Sequence, residues 1–277
     1  MSTLEALILG FIQGATEFLP VSSSGHLVIV QNLLNISEGS LLFDVILHAG
    51  TFLATLIVFR KRVFALILSI PRMPLFLKTL FQKGHLAIGD DPNAWLLLLI
   101  CFSTLITGSI GVLFHDFFEE TFSSLRIVSI TLFLTGLFLF LARNFDPKKG
   151  KTPTRTSIKD AVLVGFAQAL AILPGLSRSG TTISSGLFLG FSREFAGEYS
   201  FLISLPAIFG AICLEASKIS STMPPWQNIA LGFISSFVVG IFCLKLLLRW
   251  IRQGKLIYFT FYCWFMSFIC ILISLRI

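Results

Sequence analysis

The sequence of this chain contains the same unit twice. Gly10-Phe11-Ile12-Gln13 returns as Gly165-Phe166-Ala167-Gln168, and Ser22-Ser23-Ser24-Gly25-His26 lies over Ser177-Arg178-Ser179-Gly180-Thr181 at the same offset of 155. Leu19-Pro20 pairs with Leu173-Pro174 one residue out of register. A fixed offset between such stretches predicts two copies of one structural unit.

Composition sets the solvent for that unit. The chain is 55% hydrophobic and 13% charged with 30 Phe, whereas soluble domains are about 25% charged. Its mean hydropathy is +0.88. The expected class is an all-α polytopic membrane protein. The net charge of +7 comes from basic residues between apolar runs, where they act as topology signals, so nucleic acid is not an expected partner. Cys101, Cys213, Cys243, Cys263 and Cys270 lack CxxC spacing and read as small core or lipid-facing residues. The first apolar segment lacks a basic leading stretch and is interrupted by Glu17 and Pro20, so no cleavable signal peptide is expected.

Residues 4–18 form a run of about fifteen, short of the ~20 needed to cross a ~30 Å hydrocarbon core. The run ends at Pro20 and three serines, and a second short run follows at once. Two half-length helices around a polar tip predict a re-entrant hairpin over 4–34, with irregular backbone tolerated because it lines a cavity. Full spans are expected at 43–59, 95–114 and 125–142, completing a first repeat over 1–142. Residues 63–81 are expected to form an interfacial helix. A basic linker, 143–159, precedes the second repeat over 160–277. That repeat has a hairpin at 161–191 and spans at 199–214, 229–250 and 256–274.

Each repeat thus holds one non-crossing hairpin and three crossings. Three is odd, so the second repeat enters the membrane upside down and the two tips approach each other from opposite faces. The same count puts the loops 60–92, 143–159, 192–198 and 249–255 on one side, and these hold nearly all the loop Lys and Arg. The opposite side carries Glu38, Asp116, Glu119, Glu120 and Glu215, with little base beyond Arg126, Lys218 and Arg276. By the positive-inside rule the basic side is cytoplasmic and both termini are extracytoplasmic.

The tips carry the chemistry. An arginine at the bilayer centre costs at least ~2.5 to 3.5 kcal/mol, so Arg178 should face a protein-lined cavity with an anionic partner. The tips would gather Gln13, Glu17, Ser22, Ser23, Ser24 and His26 with Ser177, Arg178, Ser179, Thr181 and Thr182. Gln13 and Glu17, four apart, share a helix face. Half-helices starting near Gly25 and Gly180 would present free N–H groups and positive dipole ends, an anion site suited to phosphate oxygens. Glu17 and His26 add an acid/base pair, which phosphoryl transfer would use. Arg178 would stabilise equatorial charge, and Ser23 or His26 would attack, or His26 would activate water. Glu17 would orient or deprotonate His26, or hold a divalent cation together with Gln13.

Gln13-x-x-x-Glu17, the run Phe18-Leu19-Pro20-Val21-Ser22-Ser23-Ser24-Gly25-His26 and the run Pro174-Gly175-Leu176-Ser177-Arg178-Ser179-Gly180-Thr181-Thr182 resemble the signature motifs of the bacterial undecaprenyl-diphosphate phosphatase, or bacitracin-resistance, family. The similarity extends to Ser192-Arg193 and Glu198-Tyr199-Ser200-Phe201. The resemblance implies hydrolysis of a polyprenyl diphosphate lipid, undecaprenyl diphosphate, to undecaprenyl phosphate and inorganic phosphate, recycling the carrier for cell-wall synthesis. It implies the bacterial cytoplasmic (inner) membrane, a site toward the outer face, and assistance by a divalent cation, Mg²⁺ or Ca²⁺. Catalytic roles fall on Glu17, His26, Ser23 and Arg178, and substrate binding on Ser177, Arg178, Ser179, Thr182, Gln13 and Ser24. Gln13 stands where many members have Glu. Glutamine cannot act as a base, so any carboxylate role, metal coordination included, falls on Glu17, and the departure at Gln13 counts against a metal ligand there. A homodimer is compatible with this plan.

Other readings compete. Inverted repeats with broken helices are also the plan of a transporter or lipid flippase. A second membrane phosphatase class, suggested by Ser24-Gly25-His26, fails because no histidine follows Ser177-Arg178 or Ser192-Arg193 at the required spacing. Arg178 could be a structural ion pair, and the serines could simply cap helices. His48, in the first full span, could approach the site, but a hydrogen-bonded structural histidine is the favoured reading; Glu198 is expected to pair with Arg193.

Overall fold

The computed structural model describes residues 2–33, 41–84, 86–121, 124–145, 150–216 and 225–275. Among them the secondary structure is helical apart from one isolated bridge between Lys151 and Phe191. The first repeat contains α1 (Thr3–Thr16), α2 (Ser23–Leu33), α3 (Leu41–Val58), α4 (Arg60–Ser69), α5 (Met73–Lys83), α6 (Leu86–Asp90), α7 (Pro92–Leu113), α8 (His115–Thr121) and α9 (Leu125–Ala142). The second contains α10 (Ile158–Leu170), α11 (Arg178–Phe188), α12 (Arg193–Ala216), α13 (Trp226–Arg252) and α14 (Ile257–Ser274).

The duplication runs deeper than the motifs. Both hairpins start with a capping box, Ser2 with Glu5 and Ser157 with Asp160, again 155 residues apart. In each, the serine hydroxyl accepts the third-position amide while the carboxylate accepts the serine amide, which settles two orphan donors. The first half-helices are 14 and 13 residues long, about 20 Å, too short to cross a bilayer core.

The repeats are interlocked. Helix α1 packs on α13 of the other repeat, and its counterpart α10 packs on α7. Glycine sets both approaches: a side chain at Gly10 would strike the Gly232 carbonyl and Ser235, and one at Gly165 would strike Ser103. Small residues permit this closeness between helices that gain little from hydrophobic burial in lipid. The tips are braced in the same exchanged sense. On α9, Thr131 Oγ1 donates to the Pro174 carbonyl and Thr135 Oγ1 to that of Gly175 (3.1 Å). On α14, Cys263 Sγ donates to the Pro20 carbonyl at 3.3 Å.

Polar contacts establish which chain ends share a face. Arg62, just beyond α3, pairs with Glu198 at the start of α12 and donates to Asn93 on α7 at 3.2 Å. Arg252, ending α13, pairs with Glu194 at 2.9 Å. Lys151 of the linker holds Asp160 at 2.9 Å, and its amide donates to the Gly190 carbonyl at the far end of the second hairpin. The open end of α10–α11 therefore lies on this basic face. At the other end of the 27-residue α13, Asn228 accepts from Thr3 Oγ1 at 3.2 Å. The open end of α1–α2 thus lies opposite, as the crossing count requires.

By length and hydropathy alone, residues 60–83 qualify as a span and α3 falls just short. Contacts reverse that ranking. Arg62, Arg72 (3.9 Å to Asp91) and Lys83 (3.8 Å to Asp90) all meet residues around the start of α7, so α4 and α5 never leave the basic face. Helix α3 runs from Phe43, packed on Gly232, to the Arg62 end, and therefore crosses.

Two expectations are corrected. Glu198 pairs with Arg62, not Arg193, because the end of α3 lies over the first turns of α12. Helix α12 begins at Arg193 instead of residue 199, since Ser192 caps it through the Phe195 amide (3.2 Å) and its charges find partners on the basic face. Glu38, Lys218, Arg276 and the side chain of Glu215 lie outside the described residues.

Candidate active site

The tips are built alike. Ser22 Oγ accepts the Gly25 amide at 3.5 Å and lies 3.3 Å from Ser24 Oγ; Ser177 Oγ accepts the Gly180 amide at 3.2 Å and lies 3.3 Å from Ser179 Oγ. The half-helices start at Ser23 and Arg178. The expectation of free amides at Gly25 and Gly180 is therefore corrected, because each tip spends a serine capping its own helix. The turns differ. Gly175 supplies the left-handed residue in the second tip (φ +87°), where a side chain would strike Thr131 and the Val128 backbone. In the first tip that conformation falls to Ser22 (φ +70°), a non-glycine residue under strain.

The residues following the two caps, Ser23 and Arg178, occupy equivalent positions and converge on one carboxylate. Ser23 Oγ donates to Glu17 Oε2 at 2.7 Å, and Arg178 donates to Glu17 Oε1. Gln13 Nε2 adds a third donor at 3.1 Å. Only 4% of the Glu17 side chain is exposed, against 20% for Arg178. This is the anionic partner the arginine requires. Glu17, Ser23, Ser24, Ser177 and Arg178 line a cavity of about 290 Å³, walled on one side by Ala207, Ile208, Ala211 and Ile212 of α12. Pro206 interrupts the hydrogen bonding of α12 beside that wall, since proline lacks the amide hydrogen.

His48 also lines the cavity. Its Nδ1 is 2.9 Å from Gln13 Nε2 and 3.8 Å from Glu17 Oε2. Of the two sequence readings of His48, the structure favours the approach to the site over a purely structural role. At the equivalent place 155 residues on, Gln168 Nε2 reaches Ile203 only at its backbone carbonyl, where Gln13 Nε2 reaches the His48 ring. Ile172 likewise stands at the position of Glu17. The two halves share a frame, and at these two positions only the first carries titratable groups.

The other predicted residues lie apart from the cavity wall. His26 is bonded at both ring nitrogens, Nδ1 to the Ser22 carbonyl (2.8 Å) and Nε2 to Tyr262 Oη (2.6 Å), and stacks on the Tyr262 ring. Ser179 is buried behind Ser177, and Thr182 Oγ1 bonds the Arg178 carbonyl (2.7 Å) and Ser200 Oγ (2.6 Å), bracing the backbone of the arginine. Tyr262, Thr131 and Thr135 support the tips from helices whose sequences carry no motif.

A buried carboxylate gripped by an arginine and a serine from hairpins that enter from opposite faces, beside a cavity, defines a multi-pass membrane protein with a charged pair in its interior. The chain belongs to the family described as bacitracin resistance protein BacA, whose model matches residues 6–269. It is 43% identical over 269 residues to an undecaprenyl-diphosphatase of Desulfatibacillum aliphaticivorans, covering 95% of this chain and 96% of that one. An undecaprenyl-diphosphatase of Carboxydothermus hydrogenoformans is 40% identical over 273 residues, covering 96% and 95%. One of Halothermothrix orenii is 39% identical over 277 residues and 99% of both chains.

Proposed function

We propose that this protein is a phosphatase that hydrolyses undecaprenyl diphosphate to undecaprenyl phosphate and inorganic phosphate, at the cavity between the two tips. The observation that carries the reading is the convergence of Ser23 and Arg178 on Glu17. A site that only bound an anion would gain nothing from a buried carboxylate beside its arginine. A phosphoryl-transfer site needs both, one to bind charge and one to take a proton.

The terminal phosphate displaces Arg178 from Glu17 and takes its guanidinium bidentately. Glu17 then accepts the Ser23 proton as Ser23 Oγ bonds to the terminal phosphorus. The bond from that phosphorus to the bridging oxygen breaks, releasing undecaprenyl phosphate. Glu17 gives that proton to the oxygen leaving with undecaprenyl phosphate; water then attacks the phosphoserine, passing a proton to Glu17, which returns it to Ser23 Oγ as the phosphorus–serine bond breaks and inorganic phosphate leaves. Ser24 and Ser177, on the cavity wall, donate to phosphate oxygens. Ser179 and Thr182 hold the tip that presents Arg178. His26, held by Tyr262, fixes the first tip through the Ser22 carbonyl.

A divalent cation fits this site as a guest of the substrate. Among the described residues no group of three His, Cys, Asp or Glu side chains is poised to hold a metal. Glu17 offers one carboxylate, and Gln13 Oε1 is buried without a hydrogen-bond partner among the described residues. One or two protein oxygens plus phosphate oxygens suit Mg²⁺ or Ca²⁺, which would neutralise charge on the diphosphate. Purified protein should release phosphate from a short prenyl diphosphate, and a chelator should suppress release reversibly. Binding of the lipid without release would favour a flippase instead.

The basic face is the cytoplasmic one in the bacterial inner membrane, with both termini outside. A cysteine placed at Lys151 should resist membrane-impermeant maleimide in intact cells and react in inverted vesicles. Labelling from outside would invert the orientation.

A further inference from the structure

We infer that His48 is a substrate-binding residue of this site, donating from Nε2–H to a phosphate oxygen while Gln13 fixes its tautomer. The inference rests on the phosphatase reading above and adds a group from α3 to those on the tips.

Hydrogen-bond accounting fixes the proton. Gln13 Nε2 lies 3.1 Å from Glu17 Oε2 and 2.9 Å from His48 Nδ1. A carboxylate oxygen only accepts, so the amide must turn its nitrogen, not its oxygen, toward Glu17. The second hydrogen of that NH₂ group then points to Nδ1, which must carry a lone pair. A neutral imidazole with an acceptor at Nδ1 has its hydrogen on Nε2. That nitrogen has no protein partner among the described residues, and the ring lines the cavity with 32% of its side chain exposed.

The repeat supplies a control within the same molecule. At the equivalent place Gln168 Nε2 donates to Thr107 Oγ1 (3.2 Å) and to the Ile203 carbonyl (3.4 Å), and Ile203 is fully buried. The fold accepts an aliphatic residue there, so packing does not require the imidazole. It occurs only in the half that carries Glu17.

Amide substitutions separate the two ring nitrogens, because glutamine places its NH₂ about where His Nε2 lies and asparagine about where Nδ1 lies. Phosphate release from a short prenyl diphosphate, and inhibition by methylenediphosphonate, would be measured for wild type, H48Q and H48N across pH. A hydrogen bond to a charged oxygen corresponds to about a 10- to 100-fold effect. We expect H48N to raise KM and the inhibition constant by that factor. We expect H48Q, which keeps a donor at the Nε2 position, to recover part of the affinity lost in H48N, with an unaltered pH profile. H48N matching wild type would overturn the inference, since only the Gln13 contact would then matter. Equal losses in both variants, or a pH limb missing in H48Q, would overturn it in favour of proton transfer by the ring. Should H48N fail to fold, H48I, which copies Ile203 of the other repeat, must show the same loss of affinity. Wild type that binds methylenediphosphonate yet releases no phosphate would end the phosphatase reading while leaving the His48 contact measurable.

Discussion

Arg178→Ala is expected to reduce phosphate release by about 10³-fold or more, the scale set by removing a cation that stabilises a transferring phosphoryl group. Stability should fall as well. Glu17 is 4% exposed and loses its charge partner, and an uncompensated buried charge costs about 3–5 kcal/mol. Arg178→Lys should retain much of the stability and little of the activity, because an ammonium supplies charge without the bidentate fork. The double variant E17Q/R178A separates the two effects. Removing both charges should recover part of the lost melting temperature and none of the activity. Restored activity in the double variant would mean that the pair is structural, and undiminished melting in Arg178→Ala would mean that Glu17 has another partner.

The elements legible in the sequence are those that repetition and charge cost make visible. The offset of 155 predicted both hairpins, an odd number of crossings per repeat and the face to which each hairpin opens, because these follow from counting apolar lengths. Arg178 and Glu17 stood out since a charge in lipid needs a partner. His48 did not, because one histidine in an apolar helix carries no local sign of what it faces. Its role emerges only when α3 is set against α1 and compared with Ile203 and Gln168. The orientation of His26 was equally hidden, for it depends on Tyr262, 236 residues away. The caps of the half-helices were misjudged because a Ser-x-x-Gly sequence reads either as a free anion-binding turn or as a serine satisfying its own helix. Only the 3.5 and 3.2 Å distances to Gly25 and Gly180 choose between them.

Repetition followed by divergence also explains why the cavity has two characters. Ile172, the second-repeat counterpart of Glu17, lines the cavity, and the α12 wall adds Ala207, Ile208, Ala211 and Ile212. A polar end against an apolar side suits a substrate with a diphosphate at one end and a prenyl chain at the other. One repeat carries the arginine of the pair, and the other carries the carboxylate.

Glu17→Gln is expected to have the second large effect, and it tests the base directly. Glu17 receives Ser23, Gln13 and Arg178 together. An amide has one accepting oxygen, so it cannot serve all three, and its NH₂ must oppose another donor. Loss of general-base assistance predicts a fall in kcat of about 10²–10⁴-fold. The stability cost should be smaller than for Arg178→Ala, because the arginine left behind is 20% exposed and lines the cavity, whereas Glu17 is almost fully enclosed. The ordering is the informative part: E17Q should melt above R178A while both are nearly inactive. Inorganic phosphate should still bind E17Q, and more tightly than wild type, since the carboxylate that competes for Arg178 is gone. Weaker phosphate binding in E17Q would show that Glu17 holds the anion, through a cation, and does not merely take its proton.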